Sequence, residues 1–122
     1  MALTDLMVIQ EGHDYHVEGT LVRALDGRQT VLALVHRTAL EDHFRAPGGL
    51  TFEQRNLLVD RNLPAFERVI AAKYERGERS VLPRFGRDIP LVEITLADIE
   101  RSGEALSDSV LAMARAARWH PA

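Results

Sequence analysis

Two strand-like runs on either side of Asp26-Gly27 constrain the fold of this chain more than any other feature. Residues 15–25 alternate between the two faces of a strand, the period-two pattern of a half-buried strand. Residues 30–35 are apolar on both faces except for Thr30, which indicates a central strand covered on two sides. Asp-Gly favours a type I′ turn, because both central residues of that turn have positive φ. The sequence therefore predicts a β-hairpin at the centre of an antiparallel sheet.

Other segments complete the predicted sheet. Residues 3–10 indicate a short strand and residues 91–95 a last one. Residues 78–90 contain two prolines and a glycine, so we predict a loop there, which leaves room for one short strand near Val81. The predicted sheet has three or four antiparallel strands with helices packed on it. We thus expect an α+β fold in a single domain over residues 1–122.

Capping signals indicate where the helices begin. Thr38 and Glu41 have the spacing of a capping box at the start of a short helix, and Thr51 begins a longer one in the same way. Pro64 interrupts the apolar stripe of the longer helix. The chain therefore either kinks at Pro64 or starts a new helix that Asn62 caps, with the proline in its first turn.

The predicted core collects the apolar positions of these elements. Its members are Val17, Leu21, Val31, Leu32, Leu34, Leu40, Phe44, Val59, Phe66, Ile70, Tyr74 and Ile94. A chain of 122 residues has the usual length of one domain and is long enough to bury such a core.

The C-terminal part of the sequence predicts a helical extension over about residues 97–119, capped by Thr95 or Asp98. Its last residues are amphipathic and include the only tryptophan of the chain. Tryptophan is enriched at interface hot spots, so Met113 and Trp119 are candidate contacts to a protein partner or to a second copy. Packing of this tail on its own domain is the equally weighted alternative.

Composition excludes several classes of protein. The formal net charge is −3, so no overall positive field attracts nucleic acid or anionic membranes. Cysteine is absent, which removes disulfides and cysteine-ligated metals and suits a reducing compartment. No apolar run reaches the ~20 residues of a membrane span, and the N-terminus lacks a basic signal region. We predict a cytoplasmic protein with no membrane contact.

Two segments carry a family resemblance. Residues 35–44 are V-H-R-T-A-L-E-D-H-F, and residues 62–77 contain Phe66 and Ile70 and end in K-Y-E-R-G. Over about residues 15–100 the chain resembles a family of small bacterial proteins catalogued as domain of unknown function 1488. That family has an I-S-R-E-A-L-E-D-H-F helix, with His36 standing here in place of its serine. The resemblance implies a compact α+β fold and brings no activity, cofactor or catalytic residue.

Basic residues cluster late in the chain. The candidate anion- or partner-binding segment, called the arginine segment below, contains Arg76, Arg79, Arg84, Phe85 and Arg87. Exposed guanidinium groups beside an aromatic ring suit phosphate or an acidic partner. The alternative is a solvated helix end whose cations complement the helix dipole.

Histidines offer two further candidate sites. His36, Asp42 and His43 form a possible acid–base cluster, although consecutive helix residues point in different directions. His13 and His16 have an H-x-x-H spacing, but they span a turn and a strand start and lack a third ligand. We therefore predict no metal and no cofactor.

Three functions follow from these observations. Phosphate-loop, dinucleotide-binding, nucleophile-elbow and zinc-protease motifs are all missing from the sequence. The leading prediction is a non-catalytic protein-interaction or regulatory module that binds a partner or itself. The alternative is a small-ligand, anion or nucleic-acid binder that uses the arginine segment. An enzyme that uses His36 or His43 is the third hypothesis.

Overall fold

The computed structural model describes residues 3–10, 17–46, 48–84 and 87–108, with Arg84 described through its backbone. The strands are β1 (Thr4–Val8), β2 (Gly19–Asp26), β3 (Gln29–His36), β4 (Ser80–Arg84) and β5 (Arg87–Ile94). The helices are α1 (Arg37–His43), α2 (Phe52–Arg61), α3 (Leu63–Glu75) and α4 (Leu96–Ser102). The α+β class predicted from the sequence is confirmed. In this part of the chain no helix is long and apolar enough to cross a bilayer.

The five strands form one mixed sheet in the order β1-β2-β3-β5-β4. Neighbouring strands are antiparallel except β3 and β5, which are parallel. The prediction of a purely antiparallel sheet with three or four strands is therefore wrong. Three helices and β4 separate β3 from β5 in the chain, and such a long crossover lets β5 return in the same direction as β3.

The predicted central hairpin is present, but its turn differs from the expected type. Asp26 pairs with Gln29, so the two-residue loop is Gly27-Arg28. Gly27 has a φ of 62°, whereas Arg28 is not among the described non-glycine residues with positive φ. Glycine at the first central position with an ordinary residue after it is the arrangement of a type II′ turn, which also matches strand twist.

Residues 78–90, predicted to be a loop, mostly form a second hairpin. β4 pairs with β5 over its whole length, from Ser80 opposite Leu91 to Arg84 opposite Arg87. The prolines did not prevent strand formation, because each occupies a tolerated place. Pro83 lies on an edge strand, and Pro90 precedes the part of β5 that pairs with β3.

The main core lies between one face of the sheet and the helices. Val31, Val35 and Val92 from the strands are buried there with Phe66 and Ile70 from α3. The other face has a smaller buried cluster, whose members are Leu21, Leu32, Leu34 and Leu91. Predicted core residues thus divide between the two faces of the sheet.

The prediction that Val17 belongs to the core is wrong. Its side chain is 58% exposed because it lies before β2 begins and has no strand neighbour to pack on. Phe44, at the end of α1, is half-buried and packs against the main core.

The structure confirms one of the two predicted capping boxes and contradicts the other. Thr51 accepts a hydrogen bond from the Gln54 backbone, and the Gln54 side chain accepts one from the Thr51 backbone, which confirms this capping box. The Thr38 cap is wrong, because α1 already begins at Arg37. Glu41 instead accepts a hydrogen bond from the backbone N–H of Leu50.

Pro64 lies in the first turn of a separate helix, as one of the two predicted alternatives states. The Asn62 side chain does not cap that helix. It donates to the carbonyls of Leu58 and Ser107 and accepts from the Ser107 N–H, so it ties the two helices to the last described segment.

The C-terminal helix begins as predicted after Thr95 but ends at Ser102. Gly103 has a φ of 68°, a left-handed conformation that stops a helix. The predicted continuation is therefore wrong over residues 103–108. Residues 109–122, with Met113 and Trp119, lie outside the described residues.

Candidate functional site

A cleft opens in the sheet where the first residues of β3 and β5 separate. The parallel ladder joins these strands only from Leu32 opposite Leu91 to Val35 opposite Ile94. Residues of β3 before Leu32 have no partner on β5, although β5 continues backwards alongside β4. The two strand starts are therefore not paired with each other, and residues of both line one cavity.

Two features of the sequence account for this separation. Pro90 comes immediately before the first paired residue of β5, and proline has no N–H with which to extend a ladder. Extending the register by four residues would also place Arg28 opposite Arg87. Like charges directly opposite each other destabilise strand pairing. Both features favour open strand starts over a continued ladder.

The floor of the cleft is aliphatic. Leu21 and Leu32 are buried members of the smaller cluster, and Ile9 and Ile89 pack against them. The cavity has a volume of about 820 Å³. This volume lies within the range of small-molecule sites, which are concave and mostly apolar with a few polar groups.

The rim of the cleft is polar and carries charge of both signs. Arg28, Gln29 and Thr30 line it from the β2–β3 turn and the start of β3. Arg87 and Asp88 line it from the start of β5. The lining therefore combines an aliphatic floor with polar and charged residues at the rim.

The charged groups of the rim make no ion pair with any residue of the described chain. Three other arginines, Arg37, Arg68 and Arg76, have acidic partners. Arg37 lies near Glu41, and Arg68 holds Glu104 through two hydrogen bonds. Arg28 and Arg87 are exposed and line the cleft, and neither makes an ion pair with another described residue.

Helix α3 holds the turn that carries Arg28. The Tyr74 hydroxyl donates a hydrogen bond of 2.7 Å to Asp26 Oδ2, next to the two-residue loop. The Arg79 guanidinium lies 4.1 Å from the centre of the Tyr74 ring and covers it. Burial, together with the hydrogen bond to Asp26, raises the pKa of Tyr74 above its ordinary value. The position of Arg28 is therefore supported by the helix layer on the opposite face.

The structure separates the predicted arginine segment into different environments. Arg76 pairs with Glu78, and Arg79 covers the Tyr74 ring, so both have partners within the chain. Arg87 reaches the cleft, and the backbone of Arg84 lies opposite it in the β4–β5 hairpin. Phe85 lies outside the described residues.

Arg76 also lines a smaller groove between α3 and α4. This groove has a volume of about 320 Å³ and includes Arg68 and Arg101. Glu104 forms an ion pair with Arg68, and Glu78 forms one with Arg76. Two of its three arginines are therefore already neutralised, which makes the groove a poorer anion site than the cleft.

Two residues of the predicted acid–base cluster, His36 and His43, have other partners in the structure. His36 Nε2 lies 3.1 Å from Glu93 Oε1 on the neighbouring strand. No hydrogen bond or ion pair among the described residues joins His36 to Asp42 or His43. The His43 ring instead meets the Phe44 ring edge-on at 5.0 Å. Sequence reasoning missed Glu93, because the pairing of β3 with β5 brings it to His36.

The described residues contain no group of three or more histidine, aspartate or glutamate side chains placed to hold a metal ion. His13 and His16 lie outside those residues. Arg28 was not predicted as a site residue, because a single arginine in a turn carries no sequence signal, whereas the structure places it in the lining of the same cavity as Arg87. The sequence feature that could have indicated the cleft is Pro90, because a proline within an otherwise strand-like run marks a place where strand pairing stops.

Comparison with known proteins returned no similar family, curated protein or solved structure for this chain. The resemblance to domain of unknown function 1488 therefore stays a prediction.

Proposed function

We propose that this protein binds a small amphipathic anion, without catalysis, in the cleft between the starts of β3 and β5. The observation that carries the proposal is an aliphatic cavity of about 820 Å³ with two arginines on its rim that have no acidic partner in the described chain. An apolar floor with charge confined to one edge suits a ligand with an apolar body and an acidic head.

The apolar body supplies the larger part of the affinity. Burying one methylene group contributes about 0.8 kcal/mol, so several groups over Leu21, Leu32 and Ile89 give substantial binding. The floor is already formed by the sheet, which lowers the cost of ordering the site when a ligand enters.

The arginines determine how the ligand is oriented. Each guanidinium offers donors in a planar fork that matches the two oxygens of a carboxylate or related anion. Arg28 lines the cleft from the β2–β3 turn and Arg87 from the start of β5, so both are placed to bind an acidic head at the rim. The head then lies at the rim while the body lies over the floor.

This proposal develops the ligand-binding alternative predicted from the sequence and retains Arg87 from the arginine segment. The other candidate is a protein-interaction module, which is based on the missing catalytic motifs, the arginine segment and the C-terminal tail with Met113 and Trp119, and it stays a prediction. A cytoplasmic location likewise stays a prediction.

Titration calorimetry with decanoate as the probe tests the proposal. We expect saturable binding to the wild-type protein, and a loss of at least fivefold in affinity for Arg28→Gln and for Arg87→Gln. Arg61→Gln is the matched control, because Arg61 is an exposed arginine outside the cleft. Surface substitutions of this kind change stability by about 0.5 kcal/mol or less, so folding is preserved.

Filling the cleft provides a second test that does not depend on charge. Thr30 is half-buried on the rim, and Thr30→Trp places a large side chain into the cavity. We expect decanoate binding to disappear while the circular dichroism spectrum is retained. Binding that is absent in the wild type, or that survives both Thr30→Trp and the arginine substitutions, would reject the cleft as the site.

A further inference from the structure

We infer that the cleft binds a long-chain aliphatic anion whose head lies at Arg87 and whose chain ends at Ile9, so that Ile9 limits the length of the chain. The inference rests on the proposed function, because it names the class of ligand that the same cleft accepts and the end of the cleft at which each part of the ligand lies.

Arg87 lies on the face of the sheet that carries the aliphatic floor. Side chains alternate between the two faces along a strand, so Arg87, Ile89 and Leu91 of β5 share one face. Leu91 belongs to the smaller buried cluster, and Ile89 packs against it. Arg87 is exposed at the start of this row and lines the cavity. The register of β5 therefore supports Arg87 as the residue that binds the head of the ligand.

Ile9 lies at the other end of the same face. Its backbone N–H donates a hydrogen bond of 2.8 Å to the carbonyl of Leu21, so Ile9 lies beside the start of β2. Val8 is buried in the main core, whereas Ile9, the next residue, packs against the smaller cluster on the opposite face. Ile9 is half-buried and lines the cavity together with Leu21. The described lining at this end is therefore aliphatic.

The register of the strands gives the distance between the two ends of the cleft. Leu21 is paired with Leu34, and Leu34 is paired with Glu93. Arg87 precedes Glu93 by six residues on β5, so it lies roughly 20 Å from the level of Leu21 along the strand direction. The cleft is therefore elongated, with Arg87 at one end and aliphatic side chains at the other.

This distance indicates the length of the ligand. An extended chain advances about 1.2 Å per bond, since the three backbone bonds of a peptide residue span at most about 3.6 Å. Roughly 20 Å therefore accommodates a chain of about 14 to 16 carbon atoms. Such a chain passes over Leu32 and Ile89 between Arg87 and Ile9. Decanoate reaches only about 11 Å and leaves Ile9 without contact.

A series of unbranched carboxylates from octanoate to hexadecanoate tests the length of the site. Calorimetry, with the protein titrated into ligand held below its critical micelle concentration, measures each affinity. We expect binding to tighten by up to about fourfold per added methylene group, the effect of burying that group fully. The increase should continue beyond decanoate to tetradecanoate. Affinity that stops rising at decanoate would overturn the inferred length.

Ile9→Phe tests the residue assigned to the end of the chain. The larger side chain fills the far end of the cleft, so we expect tetradecanoate to lose at least tenfold in affinity. Octanoate does not reach Ile9 and should bind within twofold of the wild type, which also shows that the variant is folded. Leu57→Phe, at an exposed position on α2, is the matched control and leaves both affinities unchanged.

Ile9→Ala makes the opposite change at the same position. Removing volume from the far end should raise the ratio of hexadecanoate to tetradecanoate affinity at least threefold. This variant tests the assignment even where the larger side chain of Ile9→Phe disturbs the fold. Chain-length profiles that match the wild type in both variants would overturn the role of Ile9.

Arg87→Gln distinguishes the head of the ligand from its chain. Arg87 contacts the head alone, so octanoate and tetradecanoate should lose affinity by the same factor. Ile9→Phe, in contrast, should affect the longer chain more. A loss in Arg87→Gln that grows with the length of the chain would overturn the inferred orientation.

The outcomes separate this inference from the proposed function. If decanoate binds in the cleft but longer chains bind no more tightly, the inferred length fails and the proposed function stands. If no carboxylate of the series binds, the proposed function fails and the inference fails with it.

Discussion

Lys73 Nζ lies 2.8 Å from Asp98 Oδ2 and joins α3 to the first turn of α4. The same carboxylate oxygen accepts hydrogen bonds from the backbone and the hydroxyl of Thr95, and Lys73 also donates to the carbonyl of Glu93. The two charged side chains are only 16% and 8% exposed. This cluster fixes the end of β5 against the helix layer, and β5 forms one wall of the cleft.

Low pH should reduce the free energy of unfolding, because it protonates Asp98 in this cluster. Burial alone would raise the pKa of Asp98, but the hydrogen bonds from Lys73 and Thr95 outweigh it and hold the pKa below its ordinary value. A lowered folded-state pKa means that the stabilisation is complete above the unfolded pKa of about 3.9 and is lost as the pH falls through the folded value.

Replacing Asp98 isolates this contribution. Asp98→Asn should lower the free energy of unfolding by about 3 kcal/mol at pH 7, since Lys73 loses its buried counter-ion. The deficit should shrink as the pH falls below the unfolded pKa of about 3.9, because the unfolded wild-type chain then binds a proton that the folded carboxylate still resists. Urea titrations of both proteins at several pH values measure it, with Asp60→Asn as the exposed control. A deficit that stays constant with pH would contradict the ion pair.

High pH should reduce the free energy of unfolding, because it ionises Tyr74. Its pKa is raised by burial and by the hydrogen bond to Asp26, so its stabilisation is complete below the unfolded pKa of about 10. That stabilisation is lost as the pH rises through the folded value, because the unfolded chain releases its proton first. Tyr74→Phe should cost about 2 kcal/mol at pH 7, the value of a hydrogen bond to a charged group.

The same variant should remove the alkaline loss. In thermal unfolding experiments, the difference in melting temperature between the wild type and Tyr74→Phe should become smaller as the pH is raised from 7 to 11. An equal slope for both proteins would show that another group causes the alkaline transition.

Gly19 should tolerate no side chain. A Cβ atom at this position would lie 2.1 Å from the carbonyl oxygen of Val35 on the neighbouring strand. Backbone cannot move aside as a flexible side chain does, so Gly19→Ala should destabilise the protein by about 3 kcal/mol. Gly48→Ala is the control, because nothing lies within 4 Å of its Cβ position. Urea denaturation compares the two, and equal midpoints would show that β2 and β3 are less close at Gly19.

Pro90 should control the width of the cleft. Pro90→Val supplies an N–H with which the β3–β5 ladder can continue towards Thr30, so we expect decanoate affinity to fall at least fivefold. The free energy of unfolding should stay within about 1 kcal/mol, since the new hydrogen bond offsets the more flexible unfolded chain. Pro83→Val on the edge strand is the matched control. Unchanged decanoate binding in Pro90→Val would show that the proline does not hold the cleft open.

The sequence predicts local structure well where one signal decides it. The hairpin around Gly27 and the capping box at Thr51 each depend on a few neighbouring residues, and both are present. The new helix at Pro64 was one of two alternatives, because a proline alone does not distinguish a kink from a helix start.

Features that depend on pairing between distant segments of the chain could not be predicted from the sequence. The two prolines of residues 78–90 argued for a loop, because local rules do not say which edge of a strand faces a neighbour. Glu93 reaches His36, and Arg28 and Arg87 line the same cavity, only because β5 lies beside β3 and parallel to it. The cleft is therefore a property of the register and not of any motif.

The way in which β4 joins the sheet has a mechanical consequence. Its ladder connects to β5 alone, and β5 is held to β3 through only four residue pairs. The β4–β5 hairpin is therefore joined to the rest of the sheet at one end, through the second half of β5, while the first residues of β5 line the cleft without a partner on β3. A ligand in the cleft would thus contact the part of the hairpin that has the fewest backbone hydrogen bonds to the sheet.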